Sequence, residues 1–352
     1  MDTTRNDLRR FTLATALAAV PLLLIVLGYV VADPFRVLRP TDPFWRADDT
    51  MHVGTNKSMI STFQFDSRHK LYRWDSYIFG SSLSIAYRAD DWAAFLPDTA
   101  RVFHFDGAWE TLRGIQLKMH YVVDQGEHIA NALIVMDVEI FRRDDIHHPA
   151  PYLFRQPPQI TPEHDLLQFH WSFFRQWLNR EFLLAYIDLK LNGLQPYMLQ
   201  HSIFTTEQPD YDPVVNEESY PFYENAIAAD IDAFYARRAQ LFEGLPTEEH
   251  TAPPQLTADN PIAANNRRII ADMARLLRDE HTDFRIVLVP RLSLERINPA
   301  DLRLLQDTFG ADRITDLSGK NDLSTEPHNF YDGYSHPRPT TCSQVLDSIY
   351  AR

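Results

Sequence analysis

The sequence predicts an α/β fold, a three-layer α/β/α arrangement around a mostly parallel sheet. Short apolar runs alternate with stretches whose apolar residues recur at helical spacing. The strand-like runs are apolar throughout instead of alternating, which is the pattern of strands covered on both faces. Strand, helix and strand follow one another at βαβ distances early in the chain and again near its end. A helical insertion at about 141–260 interrupts this order, and one N-terminal transmembrane helix precedes it.

The elements follow in order. Residues 11–32 carry no charge and are rich in Leu, Val and Ala. That is enough to cross a hydrocarbon core of roughly 30 Å at about 1.5 Å per residue. Arg5, Arg9 and Arg10 precede the run, favouring a cytoplasmic segment 1–10 and an exported remainder. Arg36 and Arg39 behind it reduce that asymmetry. The reading is a retained single-pass anchor; a cleavable signal peptide, ending at the small residues of Val30-Val31-Ala32, is the alternative. Residues 33–70, with Pro34, Pro40 and Pro43, read as an irregular stalk merging into the domain edge, and 71–352 as the domain itself.

Within the domain, Tyr77-Ile78-Phe79 forms a buried strand ending at Gly80, and a helix covers Trp92–Leu96. Arg101–Phe105 is a second strand, Trp109–Gln125 a helix, and Ile129–Val138 a near-continuous apolar strand that stops at Asp137. The insertion opens in proline-rich turns. It holds an aromatic helical segment over Leu166–Leu191 and another helical stretch at about 222–243. Alternation resumes with a helix at Asn265–Asp279, a strand at Phe284–Val289, a helix at Pro299–Phe309, a strand at Arg313–Asp316 and a final helix at Thr341–Ala351. No internal repeat or low-complexity tract is present.

With 352 residues, 45% of them hydrophobic, the chain can bury a large core and has no compositional sign of disorder. A formal charge of −14 without a basic stripe argues against a nucleic-acid partner. Cys342 is the only cysteine, so no internal disulfide can form; it reads as a packed small apolar group.

Chemistry concentrates in two stretches. Gly80-Ser81-Ser82-Leu83-Ser84 delivers hydroxyls to the carboxyl edge of a strand, where a turn begins. A serine hydroxyl there needs a base within hydrogen-bond reach and donors for an oxyanion. Ser82 suits that role best, Ser81 is second, and Ser84 reads as a capping or packing residue. Taken alone, the run reads as a helix N-cap after a strand. Far downstream, Asp332 and His336 share a turn-rich segment before the last helix. There a carboxylate can fix a histidine tautomer and stabilise the imidazolium; taken alone, the segment is a surface loop.

Phe79-Gly80-Ser81-Ser82-x-Ser84, Gly107 after the second strand, and Phe330-Tyr331-Asp332…His336-Pro337-Arg338-Pro339 together resemble the SGNH (GDSL-like) hydrolase superfamily. They are most similar to its membrane-anchored bacterial branch of D-alanyl transfer and alginate-type O-acetylation proteins. The resemblance covers roughly 70–140 and 260–350. It implies Ser82 as nucleophile, His336 as general base and Asp332 as its orienter, with the N–H groups of Ser82 and Gly107 as the oxyanion hole. Three positions depart from the superfamily. Leu83 stands where many relatives carry arginine, and Asp332 and His336 are four apart instead of three. Asp137 stands where a Gly-x-Asn-Asp block would be, and an ionised carboxylate cannot donate to an oxyanion.

The resemblance further implies an exported serine esterase or O-acyltransferase at a bacterial inner membrane, with its domain on the periplasmic or extracellular side. It would act on acyl esters, acetyl esters among them, of an envelope polysaccharide beside a multi-pass membrane-bound O-acyltransferase, without cofactor or metal. A non-catalytic scaffold or polysaccharide-binding subunit is the second reading. Asp144-Asp145-Ile146-His147-His148 reads as a solvated loop before a metal site, and His104 as a satisfied core or rim histidine. The aromatics Phe169, Trp171, Phe173, Phe174, Trp177, Phe182 and Tyr186 read mainly as core, with a membrane-facing, partner-facing or sugar-stacking surface as the alternative.

Overall fold

A computed structural model describes residues 2–39, 52–143, 151–162, 165–200, 204–205 and 209–350. The chain runs α1 (Asp2–Ala32), α2 (Lys57–Tyr72), β1 (Ser76–Gly80), α3 (Ala89–Ala93), β2 (Val102–His104), α4 (Leu112–Asp124) and β3 (Asn131–Met136). The insertion contributes α5 (Pro151–Phe154), α6 (Leu166–Trp177), α7 (Arg180–Asn192), the hairpin β4 (Asp210–Asp212) and β5 (Glu217–Ser219), α8 (Pro221–Ala229), α9 (Ile231–Arg237) and β6 (His250–Thr251). The remainder is α10 (Pro261–Asp279), β7 (Asp283–Leu288), β8 (Glu295–Arg296), α11 (Pro299–Phe309), β9 (Ile314–Asp316) and α12 (Pro339–Tyr350).

Five strands form one parallel sheet in the order β2-β1-β3-β7-β9. Period-two alternation sorts their side chains into two cores. Tyr77, Phe79, Ile134, Met136, Ile286 and Leu288 face α2, α4, α10 and α11. Ile78, Leu133, Val135 and Val287 face α3 and α12, where Cys342 is buried and burial pushes its thiol up. The three layers expected from unbroken apolar strands are therefore present. Because β2 and β3 lie on opposite sides of β1, the strand order reverses at the carboxyl end of β1. A parallel sheet opens a crevice at such a point.

Several boundaries moved. Residues 33–70 are not irregular throughout, for α2 occupies Lys57–Tyr72, capped by Asn56 Oδ1 accepting from the Met59 N–H at 2.9 Å. Its inward positions include Lys57, Ser58, Ser61, Thr62 and Gln64. Polar burial of this kind leaves no apolar period to read. The aromatic segment is two helices, broken where Asn179 caps α7 by accepting from the Glu181 and Phe182 N–H groups. The helix expected at 222–243 likewise divides at Asp230, which caps α9. Pro40, Pro43 and the run Asp144–His148 lie outside the described residues.

A separate core joins the insertion to α1. Phe169, Phe173, Trp177, Phe182 and Tyr186 are buried with Tyr29, Phe35 and Met59. The Trp177 indole donates to the Ile25 carbonyl at 3.0 Å. Most of the aromatic run is thus core, but the core it builds belongs to the junction with the N-terminal helix. Residues 9–32 form the one helix, among the described residues, long and apolar enough to cross a membrane.

Candidate active site

Ser82 heads a single 3-10 turn, Ser82–Ser84, directly beyond β1, and the next α-helix starts only at Ala89, three residues ahead of the Trp92–Leu96 expected from the sequence. The turn is tight because Gly80 lets it lie against β3. A Cβ on Gly80 would stand 2.8 Å from the Ser84 Cβ and 2.9 Å from the Val135 carbonyl oxygen. Ser81 Oγ caps the turn by accepting from the Leu83 N–H at 3.3 Å. Ser84 Oγ donates to the Ser81 carbonyl at 2.7 Å. Both neighbours are consumed locally, which leaves Ser82 as the outward-facing hydroxyl.

That hydroxyl stands 3.0 Å from His336 Nε2, and His336 Nδ1 stands 2.8 Å from Asp332 Oδ2. Residues separated by 254 positions are therefore brought into one chain of hydrogen bonds. The four-residue spacing is accommodated by a closed turn. Asp332 Oδ1 accepts from the Tyr334 N–H at 3.0 Å and the His336 N–H at 3.3 Å, while Ser335 takes a left-handed φ of 69°. Gly333 admits the insertion at this turn, since a Cβ would overlap the Leu241 carbonyl oxygen. Burial of the Asp332 carboxyl opposes its charge. The His336 hydrogen bond and charge, with the two backbone N–H groups, outweigh burial and hold it below the usual carboxylate range. An ionised Asp332 keeps the proton on Nδ1 and frees Nε2 to accept from Ser82.

The oxyanion side is only half met. Ser82 N–H, at the start of its turn, has no acceptor within it. Gly107 is brought beside the site, but its N–H donates to the Gly80 carbonyl at 3.1 Å, so it extends the strand ladder instead of facing a ligand. Asp137 plays a structural part. One of its oxygens accepts from Arg143 at 2.5 Å and from Arg291 at 2.6 Å. Arg291 in turn donates to the Tyr334 carbonyl at 3.3 Å, and Ser335 Oγ accepts from the Leu292 N–H at 3.0 Å. The loop after β7 thus clamps the His336 loop from behind. His104 is buried, its Nε2 meeting the Tyr87 carbonyl at 2.6 Å, as a satisfied core histidine. Among the described residues no group of three or more metal-ligating side chains converges.

The triad opens into a cavity of about 510 Å³. One wall comes from Ser82, Ile85 and Arg88, another from Tyr331, Asp332 and His336, and the third from the insertion through Glu218, Tyr220, Tyr223 and Glu224. Glu224 fastens that third wall. It accepts from the Tyr331 hydroxyl at 2.8 Å and from Arg338 at 3.0 and 2.8 Å. Burial opposes the Glu224 charge, but these donors hold its carboxyl below the usual range. Behind Glu218, Lys57 lies 3.1 Å from that carboxylate and 3.7 Å from Asp106. Desolvation works against the ammonium there, and the two acids overcome it, so its pKa is raised. No motif in the sequence marks the insertion's contribution, because residues 218–224 touch the triad only through the fold. No protein-family model matches the chain, and no curated protein matches it.

Proposed function

We propose that the protein is a membrane-tethered serine esterase or O-acyltransferase of SGNH-like type, acting on acyl esters of an envelope polysaccharide. The observation that carries this reading is the Ser82–His336–Asp332 relay opening on the 510 Å³ cavity. Ser82 Oγ attacks the acyl carbonyl carbon as its proton passes to His336 Nε2. Collapse of the tetrahedral species returns that proton to the departing alkoxide and leaves an acyl-serine. Water or a sugar hydroxyl, deprotonated by His336, then releases the acyl group. The Ser82 N–H is the donor available to the oxyanion. Tyr220, Tyr223 and the carboxylates on the insertion wall suit an acceptor with apolar faces and many hydroxyls. The helix α1 supports the membrane tether; the bacterial inner membrane, the exported domain and a neighbouring multi-pass O-acyltransferase that supplies acyl groups belong to the proposal and rest on the family resemblance alone.

The engaged Gly107 N–H and the ion-paired Asp137 favour a second reading, a scaffold or polysaccharide-binding subunit that keeps the fold without turnover. One experiment separates the two. The full chain in detergent is treated with a fluorophosphonate and, separately, with p-nitrophenyl acetate, alongside Ser82→Ala. Labelling and turnover confined to the unsubstituted chain support the enzyme. Equal labelling of Ser82→Ala removes Ser82 from the chemistry, and no reaction in either leaves the scaffold.

A further inference from the structure

Helix α6 carries two apolar stripes. One, Phe169-Phe173-Trp177, is buried against α1. The other runs along Leu167, Trp171, Phe174 and Leu178, at the i, i+4, i+7, i+11 spacing of a single helical face. Leu167 is 86% exposed, Trp171 55% and Leu178 42%. An apolar face left open on a helix that already has a core needs another partner.

Its position identifies that partner. Phe174 packs on Tyr29 of α1 with ring centroids 5.3 Å apart, and Trp171 packs on Phe174 at 5.8 Å. The open stripe therefore reaches α1 at Tyr29, on a helix whose Leu24, Leu27 and Val31 are also exposed. The Trp177 bond to the Ile25 carbonyl places the C-terminal end of α6 seven residues, or about 10 Å, inside the end of the apolar span, while Phe173, one turn earlier, packs on Phe35 beyond it. That depth matches the headgroup–acyl boundary, where interfacial helices lie and where Trp and Tyr concentrate. Arg175, exposed at the border of the stripe, can keep its charge in the headgroups while its stem lies along apolar surface.

We propose that α6 is an interfacial membrane helix, laying Leu167, Trp171, Phe174 and Leu178 into the lipid of the leaflet from which α1 emerges. The domain then has two attachments, α1 across the bilayer and the open face of α6 at its boundary. Together they fix its tilt, which a single helix leaves free. The inference rests on α1 being a membrane span.

The test uses the full chain in phosphatidylcholine vesicles, with Leu167→Cys or Leu178→Cys carrying an NBD dye. Cys342 is buried and stays unlabelled. Leu24→Cys reports on α1. Leu71→Cys, at the far end of α2 from Met59, is the water-exposed control. Doxyl-labelled lipids are expected to cut emission roughly twofold at 167 and 178, with a blue shift, and to leave 71 unchanged. Quenching at 24 combined with none at 167 and 178 overturns the proposal and assigns the stripe to a protein partner. No quenching at 24 removes the span, and the proposal with it.

Discussion

Asp332 reaches His336 with one oxygen and the backbone of its own turn with the other, so it orients the imidazole and shapes the loop at once. Asp332→Asn keeps the volume but lets Nδ1 become an acceptor, which favours the wrong tautomer. Turnover is expected to fall by roughly 10³–10⁴-fold, as in other serine triads. Binding of a non-reactive ester analogue should change little; a loss of binding equal to the loss of turnover would assign Asp332 to the pocket wall instead. The same carboxyl predicts a pH dependence of stability. Its folded pKa lies below the unfolded value of about 3.9, so its stabilising contribution is complete above that value. It is lost as pH falls through the lower folded value. Urea midpoints of the unsubstituted chain and Asp332→Asn should differ at about pH 5 and converge as pH falls below about 4. A gap that widens on acidification contradicts the assignment.

At the scale of elements, α8 is a cavity wall fastened by one carboxylate. Glu224 takes three hydrogen bonds from Tyr331 and Arg338, on either side of the loop that carries Asp332 and His336. Glu224→Ala removes the fastening and leaves Ser82, His336 and Asp332 untouched. KM is expected to rise by about tenfold, equivalent to about 1.4 kcal/mol, with a smaller change in kcat. A fall in kcat at constant KM would show that the fastening acts on the chemistry. The buried Asp137 clamp is a further device at this scale, and it was not legible beforehand. The sequence marks Asp137 as the residue ending a strand, but Arg143 is six positions away and Arg291 more than a hundred and fifty. Only the parallel pairing of β3 with β7 brings Asp137 and Arg291 to the same sheet edge.

At the scale of the whole molecule, α1, the helix long and apolar enough to cross a membrane, is also part of a core. Tyr29 is buried against Phe174 and Trp177, and Phe35 stacks on Phe182 at 5.0 Å. A chain starting at residue 35 therefore uncovers part of the α6–α7 core. It is expected to aggregate in buffer without detergent and to unfold at a lower temperature than the full chain when both are compared in the same detergent. An unchanged unfolding temperature in the truncated chain would mean that α6 and α7 repack without α1.

The sequence by itself determined what depends on neighbours along the chain. Unbroken apolar strands implied a sheet covered on both faces, and charge-free residues 11–32 implied a span. Gly80 with its serines, and Asp332 with His336, each showed which side chains a turn would present, and a family resemblance joined the two. The tertiary structure decided what depends on partners remote in sequence. It brought Ser82 within 3.0 Å of His336, turned the Gly107 N–H into the ladder, paired Asp137 with Arg291 and made a cavity wall of the insertion. The physical reason is range. Periodicity and turn chemistry act over a few residues, whereas hydrogen bonds and ion pairs across a sheet edge exist only once the strand order has placed their ends together.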